Sequence, residues 1–151
     1  LPRKIFAKHA IKCLDRLLGN PHLHRERRLF YTEITRLLLG TTPHPVILVD
    51  WSPIDERGRH FLLRAAIPFG QRAFPVYERV HHKEGCPVCQ RALLDDLSEI
   101  LPGSVTPILI TDAGFKTPWL RAVTRHGWYY VGRVRGAMQV QLPDARRWQP
   151  L

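Results

Sequence analysis

Two aspartates stand where very apolar runs give way to polar residues: Val46-Ile47-Leu48-Val49-Asp50 and Ile108-Leu109-Ile110-Thr111-Asp112. A carboxylate beside such a run is costly unless it is solvated, paired or bound to a metal. If the two runs are neighbouring strands, their carboxylates converge at one edge of a sheet. That arrangement holds two Mg²⁺ ions about 4 Å apart for in-line phosphoryl transfer. The same pattern also fits two aspartates that each cap a turn, since Asp is common where strands end.

A second constellation is Cys86-Pro87-Val88-Cys89, preceded by His81-His82. A Cys-x-x-Cys with a nearby histidine can bind zinc, or act as a redox pair at a helix N-terminus. No second Cys-x-x-Cys exists, and Cys13 is far away in sequence. The pattern therefore favours a plainer role, two small residues at a turn entering a helix. Aromatic residues cluster late in the chain, at Trp119, Trp128, Tyr129 and Tyr130. They could stack on bases. Burial is the preferred expectation, with Trp128 and Tyr130 inside the sheet and Tyr129 on its other face. Arg133 and Arg135 continue from that strand toward a basic tail, a position suited to DNA backbone contact.

The elements that carry these residues follow from periodicity and breakers. Residues 4–18 predict a helix with Ala7, Ile11, Leu14 and Leu18 on one face, closed by Gly19 and Asn20-Pro21. Lys4, Lys8, Lys12 and Arg16 recur every fourth residue on another face. That stripe could track a phosphate backbone or simply face solvent. A second helix spans about 23–39, with Phe30, Ile34, Leu37 and Leu38 as its apolar face and Gly40 as its cap. Val46 to Val49 reads as a strand buried on both faces, ended by Asp50. Strands follow at 60–68 and 72–80, where Pro68 and Pro75 point to ends, edges or bulges. A helix at 89–101, a strand at 107–111, a helix at 118–126 with Thr117 as N-cap, and a strand at 128–134 complete the series. The order after the helices is βββ-α-β-α-β. Consecutive strands can pair as an antiparallel meander, while strands reached through helices add in parallel by right-handed crossovers. The expected fold class is α/β.

Charge is the main compositional signal. Lys and Arg total 23 and Asp and Glu 13, giving a net +10 over 151 residues. Residues 1–40 carry net +6, residues 41–115 net −2, and residues 116–151 net +6. Basic flanks suit a polyanion, because each neutralised phosphate releases counterions. An acidic centre suits divalent cations. Three cysteines exclude a fully paired disulfide framework, and no apolar run approaches the roughly 20 residues of a membrane span. Leu1 in place of Met and the lack of a leader pattern lead to an expectation of a soluble, cytoplasmic protein whose natural start is missing.

The wording around the aspartates resembles a known family. Val46-Ile47-Leu48-Val49-Asp50-Trp51-Ser52 and Ile110-Thr111-Asp112-Ala113-Gly114-Phe115 carry the resemblance, with Arg16-Leu17-Leu18-Gly19-Asn20-Pro21 upstream. Gly127-Trp128-Tyr129-Tyr130-Val131-Gly132-Arg133-Val134-Arg135-Gly136 extends it downstream. Together they are similar to the bacterial transposases of the insertion sequence four family, over essentially the whole chain. The resemblance implies a ribonuclease-H-like fold and an Asp-Asp-Glu triad binding two divalent ions, Mg²⁺ with Mn²⁺ as substitute. Asp50 matches the first acid and Asp112 the second. The family's third acid is a Glu on a later helix, after a β-rich insertion. Here no Glu follows Glu99, and Asp144 is the only acid beyond Asp112, in a context that does not match that helix.

The resulting expectation is a transposase fragment in three parts. Residues 1–40 form a helical segment, 41–135 an incomplete ribonuclease-H-like core, and 136–151 the opening of the insertion. Its substrates would be insertion-sequence ends and target DNA at the bacterial nucleoid, with self-dimerisation in the complete enzyme and no membrane partner. Asp50 and Asp112 would bind metal, and Lys4, Lys8, Lys12, Arg16, Arg133 and Arg135 would bind DNA. Two alternatives stand beside it: an inactive DNA-binding remnant, and another ribonuclease-H-like nuclease.

Overall fold

The computed structural model describes residues 7–136, 139–141 and 146–150. Two helices open it, α1 (Ala7–Leu18) and α2 (Pro21–Leu39). They are separated by Gly19, whose N–H donates to the Asp15 carbonyl at 2.9 Å, and by Asn20. The Asn20 side chain accepts from the His22 N–H at 3.0 Å, and Pro21 takes the first helical position. That cap starts α2 two residues earlier than the apolar period suggests.

Helix α1 buries none of its residues, so Ile11, Leu14 and Leu18 stay exposed. Helix α2 does pack, but not on the face the sequence pattern favours. Phe30, Ile34 and Leu37 face solvent, whereas Thr35 and Leu39 are buried and Tyr31 and Leu38 lie against the core. The choice between the two stripes is made by long-range contacts. Arg28 pairs with Asp96 and Glu99 of the later helix α3 (Pro87–Ile100). Tyr31 meets Tyr77 edge-on at 5.2 Å. Asp96 is further approached by Arg79 at 3.7 Å, so a nearly buried carboxylate is flanked by two guanidiniums. A buried charge is tolerated only with such partners.

The sheet has five strands in the order β3-β2-β1-β4-β5. These are β1 (Val46–Pro53), β2 (Phe61–Phe69), β3 (Arg72–His81), β4 (Ile108–Thr111) and β5 (Tyr129–Gly132). The first three pair antiparallel, and β4 and β5 add in parallel, as the connection lengths require. Strand β1 does not end at Asp50. It runs on to Pro53, because β2 continues to supply partners after β4 has stopped. A bulge on β3 sets Tyr77 opposite Ala65 and Pro75 opposite Ala66, with Val76 as the extra residue. Proline is tolerated at such a site on an edge strand because no ladder N–H is lost.

Helices α3 and α4 (Thr117–Arg125) are the two crossovers, and right-handed connections put both on one face of the sheet. Under them lies the core: Ile47 and Val49 of β1, Leu63 and Ala65 of β2, Leu109 of β4, with Leu94, Leu97, Ile100, Trp119 and Val123 from the helices. Each fully buried aliphatic side chain contributes about 1.5–3 kcal/mol. Val46 and Leu48 on the opposite face are only half-buried, so β1 is not sealed on both sides as its composition suggests. Thr117 is the first residue of α4 and Lys116 its N-cap, without a side-chain capping bond, which displaces the expected cap by one position. Strands β6 (Gln139–Val140) and β7 (Gln149–Pro150) form a separate two-stranded pair. Among the described residues no helix is long and apolar enough to cross a membrane. This mixed five-stranded sheet with helices is the ribonuclease-H-like fold.

Candidate catalytic site

Strands β1 and β4 run parallel in the register Val46↔Ile108 through Val49↔Thr111. Asp50 and Asp112 are the next residue on each, so they emerge side by side. Strand side chains alternate between faces. Asp50 therefore shares the more open face with Val46 and Leu48, while Ile47 and Val49 anchor the strand in the core. The two aspartates line a cleft of about 280 Å³ with Trp51, Glu84, Gly85 and Gly114.

Each carboxylate has only light local bonding. Asp50 Oδ2 accepts from the Ser52 hydroxyl at 3.3 Å. Asp112 Oδ1 accepts from the Gly114 N–H at 2.9 Å, in a turn that presents the carboxylate outward. A Cβ on Gly114 would sit 3.0 Å from that same oxygen, so a side chain at 114 would compete with the hydrogen bond for the position of the carboxylate. Phe115, buried against Trp119 with ring centroids 5.0 Å apart, pins the loop to α4. Lys116 folds back to donate to the Ala113 carbonyl at 2.9 Å rather than to either acid. Among the described residues neither Asp50 nor Asp112 forms an ion pair, in a chain of net +10. Two solvated, uncompensated oxygen donors of like charge fit a hard divalent cation. Among the described residues no three His, Cys, Asp or Glu side chains form a group that could hold a metal, so water would complete the coordination.

Glu84 is the residue that sequence reasoning missed. It enters the cleft from the segment between β3 and α3, where Gly85 adopts φ 64°. Nothing in the spacing of 50, 84 and 112 signals this, because only the path of the segment after β3 brings Glu84 beside the ends of β1 and β4. The preceding histidines are held elsewhere. His81 lies edge-on to Trp51 at 5.5 Å, and burial holds its imidazole below the ordinary pKa, helped by Arg79 and His82. His82 lies 5.0 Å from His60, which bonds Asp55 at 2.6 Å.

Cys86 is the N-cap of α3, and its Sγ accepts from the Cys89 N–H at 3.4 Å. Hydrogen bonding to the Cys89 side chain and then to its N–H lowers the Cys86 thiol pKa, while burial raises that of Cys89. The Cys-x-x-Cys spacing thus starts a helix, two residues earlier than the Cys89 start expected.

Arg133 and Arg135 line a larger cavity of about 380 Å³ with Lys116, Tyr130 and Trp148, adjoining the loop that carries Asp112. The Arg133 N–H donates to the Thr111 carbonyl at 3.0 Å, which ties this basic segment to β4. Lys8, Lys12 and Arg16 lie on the exposed helix α1, which contributes nothing to the acid cleft; Lys4 and Asp144 fall outside the described residues. Trp119 is 2% exposed and cannot stack on a base. Trp128 is half-buried against His126. Tyr130, expected inside the sheet, is 44% exposed, because β5 is an edge strand that lacks full cover.

Residues 41–149 match the family model of the transposase DDE domain. The match spans well over half of the chain, and the protein belongs to that family of transposases. A comparison with curated proteins finds no match. The family makes the chain a transposase-type enzyme domain and implies DNA as its substrate.

Proposed function

We propose that Asp50 and Asp112 are the first two acids of the DDE triad. They hold divalent cations, Mg²⁺ or Mn²⁺, for phosphodiester hydrolysis and strand transfer at the ends of an insertion sequence of the four family. The observation that carries this reading is the in-register exit of two uncompensated carboxylates from parallel β1 and β4. When bound, the cations supply an activated nucleophile and charge neutralisation at the leaving oxygen. Asp50, on the central strand, and Asp112, on a turn fixed by Gly114 and Phe115, would hold the ions. Arg133, Arg135 and Lys116 border the same loop and would hold the DNA backbone, while Lys8, Lys12 and Arg16 extend that contact on α1. Backbone contacts of this kind position DNA and read no sequence. The layout is a helical segment at 1–40, a catalytic core at 41–135 and an insertion from 136. The assembly is a dimer acting at the bacterial nucleoid.

Calorimetric titration with Mn²⁺ and Mg²⁺ tests this reading. The 151-residue chain binds weakly, Mn²⁺ tighter than Mg²⁺, either Asp50→Asn or Asp112→Asn removes the binding, and the chain alone does not cut DNA. A double variant that binds as well as the wild type overturns the site assignment. Efficient cleavage by residues 1–151 alone would mean that another acid among them completes the triad, and it refutes the two-acid site. Affinity for a short duplex, measured at several salt concentrations, falls as salt rises; a flat profile refutes the backbone contacts.

A further inference from the structure

We infer that Glu78 is a positioning residue for the acid pair: it holds the Arg64 guanidinium away from Asp50 and so keeps that carboxylate available to a divalent cation. The inference rests on the cation reading of Asp50 and Asp112 above. Asp50 on β1 is directly opposite Arg64 on β2, and Arg64 is directly opposite Glu78 on β3. Directly opposite residues in antiparallel strands share a face, with Cβ atoms about 4.5–5.5 Å apart. Three charged side chains therefore form one row across three strands, negative, positive and negative, with Arg64 in the middle.

Two carboxylates compete for one guanidinium, and the geometry has a winner. Arg64 Nε donates to Glu78 Oε2 at 2.8 Å, and Arg64 makes no ion pair with Asp50. Among the described residues Asp50 keeps only the Ser52 hydroxyl as a bonded partner. The Arg64 charge is permanent and its donors are forked, so on Asp50 it would cover the oxygens that a cation needs. This fold does elsewhere let guanidiniums close on a carboxylate: Asp96 has both Arg28 and Arg79. Asp50 is spared because its cross-strand neighbour is already engaged. Tyr31 also lies within electrostatic reach of Glu78 and Arg64, but burial raises its hydroxyl pKa, so it stays neutral and cannot substitute for the Glu78 charge.

Two readouts test this. The first is the Arg64 Nε–H resonance of metal-free protein by ¹⁵N NMR, in the wild type, Asp50→Asn, Glu78→Gln and Glu78→Gln/Asp50→Asn. The expected signal ignores Asp50→Asn in the wild-type background and responds to it in the Glu78→Gln background, because the guanidinium has moved across. The second is Mn²⁺ affinity by calorimetry. Glu78→Gln weakens it roughly two- to tenfold, the size expected from an exposed ion pair plus a nearby like charge. Adding Arg64→Gln to Glu78→Gln restores it. An Arg64 resonance indifferent to Asp50 in the Glu78→Gln background, or a double variant as weak as Glu78→Gln, overturns the inference. A wild type that takes up no Mn²⁺ overturns the cation reading instead, and the resonance then decides by itself where Arg64 sits.

Discussion

Replacing Gly114 by alanine separates the stability of the loop that carries Asp112 from the orientation of its carboxylate. The new Cβ would stand 3.0 Å from Asp112 Oδ1 and 3.6 Å from Oδ2, and the three nearest atoms it meets all belong to the Asp112 side chain. Ordinary contact begins near 3.4 Å, so the carboxylate must retreat by a few tenths of an ångström. It is the free end of an exposed side chain and can do so cheaply, at the cost of its 2.9 Å bond from the Gly114 N–H. A net hydrogen bond of this kind is worth about 1 kcal/mol, and more only where it is buried. Gly114 does not need a positive φ, so alanine also stiffens the unfolded chain and regains about 0.4–1 kcal/mol. The two effects nearly cancel. Gly114→Ala should unfold in urea at almost the wild-type midpoint, yet bind Mn²⁺ about fivefold more weakly, since 1 kcal/mol is about that factor. Gly103→Ala is the control: it has open space within 4 Å and no positive φ, so it should gain stability and leave Mn²⁺ affinity alone. Unchanged Mn²⁺ affinity in Gly114→Ala would refute the reasoning that this turn aims Asp112. A large loss of stability would refute the claim that the carboxylate, rather than the backbone, absorbs the clash.

Two further outcomes follow from the structure. The Arg59 N–H at 3.0 Å and the His60 imidazole at 2.6 Å hold the Asp55 carboxyl below its ordinary pKa. A depressed carboxylate contributes stability that is present above its unfolded value of about 3.9 and is lost as pH falls through the lower folded value. Unfolding curves from pH 6 downward should therefore show an acid limb that is shallower in Asp55→Asn; identical limbs in the two proteins would exclude the contribution. Changing Cys86 and Cys89 together to serine should leave the fold intact, because serine is itself a good N-cap and the Sγ here does no more than cap α3. Purified protein should carry no stoichiometric zinc, and a ratio near one ion per chain would overturn the capping role.

The sequence by itself determined the elements and their order. Gly19, Gly40, Pro102-Gly103 and Gly127 end helices through local backbone chemistry, and the apolar runs before Asp50 and Asp112 read as strands from four residues each. A meander followed by parallel additions was also legible, since helix-length connections cannot join antiparallel neighbours tightly. Asp50 and Asp112 were readable as a pair for the same reason, once β1 and β4 were taken as neighbours. Only the tertiary structure decided what depends on contacts between distant parts of the chain. Strand β1 continues past Asp50 because β2 pairs with it, and nothing near residue 50 announces that partner. Helix α2 has two apolar stripes, and Asp96, Glu99 and Tyr77, more than forty residues away, select the one that docks. Tyr130 is exposed because its strand is an edge, a property of strand order rather than of residue type. Glu84 beside the aspartates and Glu78 beside Arg64 belong to the same class. Local propensity acts over a few residues, whereas strand order and register are settled by which faces can be buried together, and that is a property of the whole sheet.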